Sequence, residues 1–413
     1  MNNASSKAIA VSHIIHDLLH KDRGLLLAGL ISRLNDFQLA EDALQEATMS
    51  ALKHWTRSGP PHNPMAWLMR VGLNKGIDQI RRGQREQRKS VDLADHFTAD
   101  LEYDVHETIP DERLRLIFTC CHPALEEKSR IALTLRTVCN LTTKEIAAAF
   151  LDNEKAMGQR LYRAKTSLKA KVIPFSTPDE DKWDDRLETV LKTIYLIFTT
   201  GYVTEDTSPR SLCQEGIFLA RLLMTLRPNE PEVEGILALM LLTDARNTAR
   251  INVSGAAVPV EEQDSTLWQQ SNIEEAQYIL SKAIEKRRPG PFQIKAAIAD
   301  CHMMKPNPDW IQMSLLYQSL WRFEPTPVVA LNRAVVLAET ERAELALQAL
   351  DELKEDLKDY QPWYAARAHI LRKTGNKSEA CTFYKLAIEM SPSTTTRAFL
   401  ETKLRELTQS RHP

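Results

Sequence analysis

Glycine and long apolar runs are both scarce in this sequence. Only 13 of its 413 residues are glycine, whereas the strong helix formers Ala, Leu, Glu and Arg are abundant. This balance predicts an all-α fold. No apolar run is long enough to span a bilayer. The N-terminal stretch also lacks a signal-peptide pattern, because His13, His16 and Asp17 interrupt its apolar residues. We therefore expect a cytoplasmic protein with no membrane contact.

Cysteine is also sparse, and its spacing excludes a disulfide-rich scaffold. The six cysteines form no paired framework, which is typical of a reducing compartment. Cys120, Cys121 and His122 adjoin, but no second Cys/His pair follows at zinc-finger spacing, so we predict packing and no metal site. The sequence has no Gly-rich phosphate loop, HExxH motif, GxSxG motif or paired catalytic carboxylates in a fixed context. It therefore predicts no catalytic residues, no cofactor and no enzyme.

Net charge gives little indication of a nucleic-acid partner, because the formal value is only −2. The charges are unevenly distributed along the chain, however. Basic clusters near residues 81–89 and 155–171 contrast with acidic runs near 179–188 and 351–359. Such segregation is more informative than the average, and it indicates local basic surfaces on an otherwise balanced protein.

Residues 141–168 have the pattern of a helix-turn-helix. In the first predicted helix Ile146, Ala147 and Phe150 share one face, and Thr142 or Thr143 is placed to cap its start. The second helix directs Met157, Leu161, Ala164 and Leu168 inward. Its outer side chains are predicted to be Lys155, Gln159, Arg160, Arg163 and Lys165. This layout is typical of a helix that enters a DNA major groove, although an ordinary helical hairpin with a solvated basic face gives the same pattern.

Two amphipathic segments precede this motif and are separated by the Gly/Pro loop 57–64. In the first, Leu39, Ala43, Leu44, Ala47 and Leu52 are predicted to face inward. Its polar stripe comprises Asp42, Gln45, Glu46 and Ser50. The second segment carries aromatic, amide and cationic groups suited to unstacked bases and phosphates. These are Trp67, Arg70, Asn74, Lys75, Arg81 and Arg82. A core tryptophan and solvated helix faces are the alternative interpretations.

The succession DFQLAEDALQEATMSALKHW, loop, PMAWLMRVGLNKGIDQIRR, linker and helix-turn-helix resembles RNA polymerase sigma factors of the extracytoplasmic-function class. The resemblance implies a sigma domain 2 helical bundle over residues 1–90, a flexible linker over 91–110 and a sigma domain 4 helix-turn-helix over 111–174. The segment DERLRLIFTCCHPALEEKSRIALTLR and the long C-terminal region resemble the subgroup with a TPR-like extension.

The resemblance also implies partners and residue roles. Asp42, Gln45 and Glu46 match the stripe that docks on the RNA polymerase core. The loop 57–64 and the helix with Trp67, Arg70, Asn74 and Asp78 match the part that reads and melts the minus-ten element of promoter DNA. Arg81 and Arg82 match the basic end that follows the phosphate backbone. Arg160, Leu161, Arg163 and Ala164 match the recognition helix for the minus-thirty-five element. Gly158 departs from the family, which usually has a polar or basic residue there.

The C-terminal half is predicted to contain a helical extension over 186–310 and TPR-like repeats over 311–413. The positions Ala334, Leu337, Ala346, Leu350 and Leu353 recur about 34 residues later as Ala368, Leu371, Ala380, Tyr384 and Ala387, which is the TPR period. Such stacks present a concave surface suited to a protein partner. Five charged residues and a tryptophan flank a polar connection over 251–267, where the acids and arginines either line a pocket or pin the loop. They are Asp244, Arg246, Arg250, Glu262, Asp264 and Trp268.

Three functions compete at this point. The leading hypothesis is a sigma factor that directs polymerase to specific promoters, with its activity modulated by the extension. The second is a free-standing helix-turn-helix regulator with a TPR sensor. The third is an enzyme, for which the Asp/Arg group around 244–268 is the only candidate pocket.

Overall fold

The computed structural model describes residues 2–87, 109–150, 152–171, 173–203, 211–304, 307–391 and 393–409. Within them the fold is built from helices joined by turns and loops. This part contains one isolated β-bridge, Ile251 with Ala257, and no extended strand. The all-α prediction is thus confirmed. None of the described helices is long and apolar enough to cross a membrane.

The contacts divide the chain into two compact units, residues 1–226 and 227–413. The first unit contains nine α-helices in its described part. They are α1 (Asn2–Leu34), α2 (Phe37–Ser58), α3 (Pro64–Gln87), α4 (Ile109–Cys120), α5 (Glu127–Thr137), α6 (Thr143–Ala149), α7 (Glu154–Ala170), α8 (Trp183–Val203) and α9 (Leu212–Leu226). The predicted linker 91–110 lies almost wholly outside the described residues.

Helices α1, α2 and α3 pack together because α2 has small residues along its inner face. Ala40, Ala43, Ala47 and Ala51 are all fully buried, so the neighbouring helices approach its backbone closely. Asp36 caps α2 by accepting hydrogen bonds from the backbone N–H groups of Gln38 and Leu39. Trp55 fills the far end of this bundle at 1% exposure.

The helix-turn-helix is formed by α6 and α7. Thr142 is the N-cap of α6, and it forms a reciprocal capping box with Glu145. Asn153 caps α7 through the N–H of Ala156. Met157, Leu161, Ala164 and Leu168 are buried as predicted. Leu151, predicted to form the break with Asp152, lies outside the described residues.

Helices α8 and α9 belong to the same unit as the helix-turn-helix. The Trp183 ring lies 4.9 Å from the ring of fully buried Phe118 on α4, and Arg186 donates a 2.7 Å hydrogen bond to the Phe118 carbonyl. Two glycines allow α8 and α9 to cross closely, since a Cβ on Gly216 would lie 2.9 Å from Phe198 Cβ and one on Gly201 would lie 2.7 Å from the Cys213 nitrogen. The predicted domain boundaries stay a prediction; the contacts place α8 and α9 with the first unit.

The second unit begins with α10 (Pro231–Asp244), α11 (Gln270–Glu285) and α12 (Pro291–Met303). It continues with α13 (Trp310–Phe323), α14 (Pro327–Glu339), α15 (Ala343–Glu352), α16 (Gln361–Lys373), α17 (Lys377–Glu389) and α18 (Thr394–Gln409). The pairs α14/α15 and α16/α17 stack with the predicted repeat. Ala334, Ala346 and Leu350 are buried in the first pair, and Ala368, Ala380 and Tyr384 in the second.

The connection between α10 and α11 is pinned at its ends. The Gln269 N–H donates to the Ala245 carbonyl at 2.9 Å, and the Thr248 hydroxyl donates to the Leu267 carbonyl at 2.7 Å. Asp264 caps a short 3₁₀ turn through the N–H of Thr266. Glu262 forms an ion pair with Lys403, with 2.9 Å between Oε1 and Nζ. Asp264 and Glu262 thus hold the connection in place, which agrees with the alternative that the charged residues pin the loop.

Candidate polymerase and promoter interface

The polar stripe on α2 lies opposite the buried alanines. Gln45 is exposed, whereas Asp42 and Glu46 are partly covered by neighbouring polar groups. Asp42 accepts a 3.0 Å hydrogen bond from the Gln38 side chain. Glu46 accepts a 2.8 Å hydrogen bond from Gln79 on α3 and lies 3.6 Å from the Lys75 ammonium. The stripe therefore presents acidic groups that are positioned before any partner binds.

Apolar side chains adjoin this stripe, and the sequence pattern did not reveal them. Met49 is 52% exposed and Leu52 is 38% exposed. The prediction that Leu52 faces inward is wrong. Leu52 lies two turns and about 80° of rotation beyond Leu44, which moves it off the buried face. Exposed apolar groups beside acidic ones are suited to a protein contact.

Helix α3 presents the residues predicted to meet the minus-ten element. Arg70, Asn74, Arg81 and Arg82 are all exposed, and the first two are one helical turn apart. Trp67 is half-buried: its ring stacks on His54 at 5.9 Å between centroids and meets Trp55 edge-on at 5.4 Å. Lys75 lies toward Glu46. The predicted DNA-binding and polymerase-binding groups thus adjoin at the α2–α3 contact.

The outer face of α7 carries a stripe at four-residue spacing. Lys155, Gln159 and Arg163 are exposed along it. Beside them Tyr162 is 68% exposed, and the sequence analysis did not select it. Arg160 is closer to the protein and pairs with Asp152 at 2.8 Å, which lowers the pKa of the Asp152 carboxyl through that hydrogen bond. This stripe can enter a groove without any change in the helix.

The prediction that Lys165 faces outward is wrong. Its ammonium is hydrogen-bonded to Glu41 on α2, and the two side chains are only 14% and 11% exposed. Lys165 follows Arg163 by two residues, which is about 200° around the helix, so it faces away from the exposed stripe. Lys165 and Glu41 are 124 positions apart, so the local periodicity of the sequence cannot predict that they pair.

Lys165 is part of a polar contact between the helix-turn-helix and the α1–α3 bundle, which we call the clasp. It contains the pairs Lys165–Glu41 and Lys169–Asp36, the second with 2.7 Å between Nζ and Oδ2. Partial burial acts to raise the Asp36 pKa, but hydrogen bonds from Lys169 and the Leu39 N–H outweigh it, so the pKa is lowered. Arg23 adds a 3.0 Å hydrogen bond to the Arg136 carbonyl.

Cys120 and Cys121 are part of the core of the first unit, and the adjoining His122 is partly exposed. Both thiols are fully buried, with Cys120 hydrogen-bonded to Thr137 at 3.1 Å and Cys121 to Thr134 at 3.5 Å. Burial raises the pKa of each thiol above its ordinary value. Among the described residues there is no group of three or more metal-ligating side chains.

Comparison with known proteins places these elements in a family. Models of Sigma-70 region 2 and Sigma-70 region 4 match residues 18–86 and 115–168, and a family of unknown function, DUF6596, matches 186–284. The ECF RNA polymerase sigma factor SigM of Bacillus subtilis (strain 168) is 31% identical over 142 residues, covering 34% of this chain and 84% of that protein.

Two further relatives extend this result. A probable RNA polymerase sigma factor of Haemophilus influenzae (strain ATCC 51907 / DSM 11121 / KW20 / Rd) is 27% identical over 173 residues, or 38% of this chain and 89% of the relative. An uncharacterized protein of Rhizobium meliloti (strain 1021) is 41% identical over 392 residues, or 92% of this chain and 93% of the relative. The second alignment includes the C-terminal extension.

A helical bundle followed by a helix-turn-helix, each matching a sigma region, defines a transcription initiation factor. The chain belongs to the extracytoplasmic-function (ECF) family of RNA polymerase sigma factors. Its function is promoter-specific initiation of transcription together with core polymerase, and the free-standing regulator is not favoured. The DUF6596 match begins at α8, so the extension starts within the first compact unit.

Gly158 on α7 gives a prediction about stability. A Cβ at this position would meet only the Thr143 methyl group, at 4.0 Å. Gly158→Ala is therefore expected to stabilise the first unit by about 1 kcal/mol, the difference in helix propensity. Chemical denaturation measures this change. Gly76→Ala is the matched control, because its Cβ would lie 2.5 Å from Leu34 and should destabilise the fold. Equal changes in the free energy of unfolding for the two variants would contradict the difference in packing between Gly158 and Gly76.

Proposed function

We propose that the exposed stripe of α7 binds the upstream promoter element while α3 binds the opened downstream element. The exposure of Lys155, Gln159 and Arg163 at one-turn spacing supports this assignment. Amide and guanidinium groups at this spacing can hydrogen-bond to base edges in a major groove, each discriminating by roughly 1–3 kcal/mol. The cationic and aromatic groups of α3 suit single-stranded DNA. The protein acts in the cytoplasm by binding to core polymerase and promoter DNA, and it catalyses no reaction itself.

Footprinting of the polymerase complex on a promoter mapped after overexpression tests these roles. Arg163→Ala is expected to weaken upstream protection about tenfold, while Arg70→Ala reduces permanganate reactivity in the opened region. The control is Arg322→Ala, which removes an exposed arginine of α13. If both variants protect and open the promoter as the Arg322 control does, the residue assignment fails.

We further propose that the clasp is a resting arrangement that promoter binding opens. Phosphates compete with carboxylates for the same ammonium groups, and the Lys165–Glu41 pair is largely shielded from water. Lys165 becomes available to DNA only when Glu41 releases it. In this proposal Lys165 contacts DNA only after the clasp has opened.

Removing the clasp carboxylates should therefore strengthen promoter binding. Glu41→Gln with Asp36→Asn is expected to tighten binding of a labelled promoter duplex about fivefold, equivalent to about 1 kcal/mol. Asparagine at position 36 still caps α2. Glu285→Gln is the control, since it breaks the exposed Lys282–Glu285 pair of α11. Fluorescence anisotropy measures the affinity, and weaker binding by the double variant would show that the clasp has no restraining role.

A further inference from the structure

The second unit has a cavity of about 600 Å³ on the concave side of its repeats. Successive helices direct corresponding positions toward it: Asn332, Val336 and Glu339 from α14, Ala365, His369 and Arg372 from α16, and Phe399 and Lys403 from α18. The volume lies in the range of small-molecule and peptide sites. The other side of the cavity is closed by the chain itself.

That closing segment consists of residues 256–263, AAVPVEEQ, which we call the strap. The Ala257 N–H donates to the Thr395 carbonyl at 3.1 Å, a backbone contact of the kind an extended peptide makes. Glu261 lies 3.5 Å from His302, and Glu262 lies 2.9 Å from Lys403. Two successive glutamates of a short 3₁₀ turn, Val260–Glu262, thus contact basic groups of the concave face.

The strap is held at its base by its own hairpin. Val258 donates to the Arg250 carbonyl at 2.8 Å, and Asn252 donates to the Ala256 carbonyl at 2.9 Å. Gly255 has a φ of +80°, which allows the tight turn between the two arms. The hairpin bonds join residues 250–258 and are separate from the contacts that Glu261 and Glu262 make with the concave face. Breaking those two contacts therefore leaves the hairpin bonds intact.

The charge of the concave face indicates what else can bind there. Apart from the strap, its ionisable lining groups are His302, Tyr317, Glu339, His369, Arg372, Tyr384 and Lys403. Glu339 is already paired with His369 at 3.0 Å and with Lys373 at 2.7 Å. Arg372 is exposed and donates a hydrogen bond to the Tyr384 hydroxyl. Without the strap, the fixed charges of the lining are those of Arg372, Lys403 and Glu339, and Lys403 also lies 3.7 Å from Glu406. Two lining cations thus face one lining carboxylate.

We propose that the concave face binds a short acidic segment of a partner protein, and that the strap is an internal competitor for the same face. The strap supplies the pattern of recognition: a backbone hydrogen bond at Ala257, followed by a 3₁₀ turn whose two carboxylates meet His302 and Lys403. Arg372 is available for a further carboxylate of the partner. This proposal concerns the second unit and is independent of the promoter contacts of the first.

A fluorescent peptide copy of residues 254–263, SGAAVPVEEQ, tests the proposal by anisotropy with the full-length chain. The Glu261→Gln, Glu262→Gln variant should bind this peptide at least tenfold more tightly than the wild type. Adding Lys403→Gln and Arg372→Gln to that variant should reverse the gain. The charge-reversed peptide SGAAVPVKKQ is the control and should not bind.

In a second variant, residues 257–262 are replaced by a Gly-Ser repeat. This variant removes the strap contacts even if the glutamine substitutions alone leave the strap on the concave face. Circular dichroism verifies that each variant is folded. If neither folded strap variant binds the acidic peptide, the proposal is overturned. Equal binding of the charge-reversed peptide would also overturn the proposal, because it would show that apolar contacts alone hold a peptide in the cavity. Promoter-directed transcription is assayed in parallel, so a failed proposed function would be recognised separately.

Discussion

Charge reversal of Asp42 and Glu46 to lysine is expected to weaken binding to core polymerase at least about 100-fold. The two carboxylates lie one turn apart on α2 beside exposed Gln45 and Met49. Placing like charges against a complementary partner costs several kcal/mol, and about 3 kcal/mol corresponds to 100-fold. A free-standing regulator would bind its operator unchanged by this substitution.

Surface plasmon resonance with immobilised core polymerase measures the loss. The control reverses Glu352 and Glu389, exposed carboxylates at the ends of α15 and α17, and so changes the net charge equally. Lysine at position 46 would face Lys75, so circular dichroism must show that the double variant is folded. A folded Asp42/Glu46 variant that binds core as the control does would remove the polymerase-binding role from α2.

Truncating the chain after Lys171 is expected to destabilise the first unit, whereas truncating it after Leu226 is expected to leave that unit intact. A chain ending at Lys171 loses α8, whose Trp183 and Arg186 contact Phe118. Uncovering two or three apolar side chains removes about 3–6 kcal/mol, a large part of a typical stability of 5–15 kcal/mol. Its Tm should fall by about 10 °C or more. A chain ending at Leu226 keeps the first unit whole and should unfold near the temperature of that unit in the full chain.

Calorimetry distinguishes the two truncated chains, and equal Tm values would contradict the placement of α8 and α9. The longer chain also tests the modulation predicted for the extension. Transcription above the full-length level would assign inhibition to residues 227–413, and lost transcription would assign them a required contact. Unchanged transcription would remove the idea that this unit regulates initiation.

Local signals in the sequence predicted much of the fold. The threonine and glutamate three residues apart at 142 and 145 marked the capping box, and buried side chains at helical spacing in 157–168 defined the inner face of α7. The 34-residue recurrence of small residues, such as Ala334 and Ala368, predicted the stacked pairs α14/α15 and α16/α17. In each case the determining residues lie within a few turns of one another.

The remaining features depend on contacts between distant residues. The Lys165–Glu41 pair joins helices 124 positions apart, so the sequence alone placed Lys165 with the exposed cations. The proline-containing acidic segment before α8 suggested a boundary, whereas the Phe118–Trp183 contact attaches α8 to the first unit. The strap was identifiable as a polar connection, but its glutamates find His302 and Lys403 only in the folded unit.

The most direct measurement of the central claim is run-off transcription with purified core polymerase and the full-length chain, on promoters mapped after overexpression. The account predicts a product that requires both components, starts at the mapped sites and decreases steeply as salt rises, because phosphate contacts dominate DNA affinity. Absence of a chain-dependent product on every such promoter, with polymerase that is active on a control sigma factor, would contradict it.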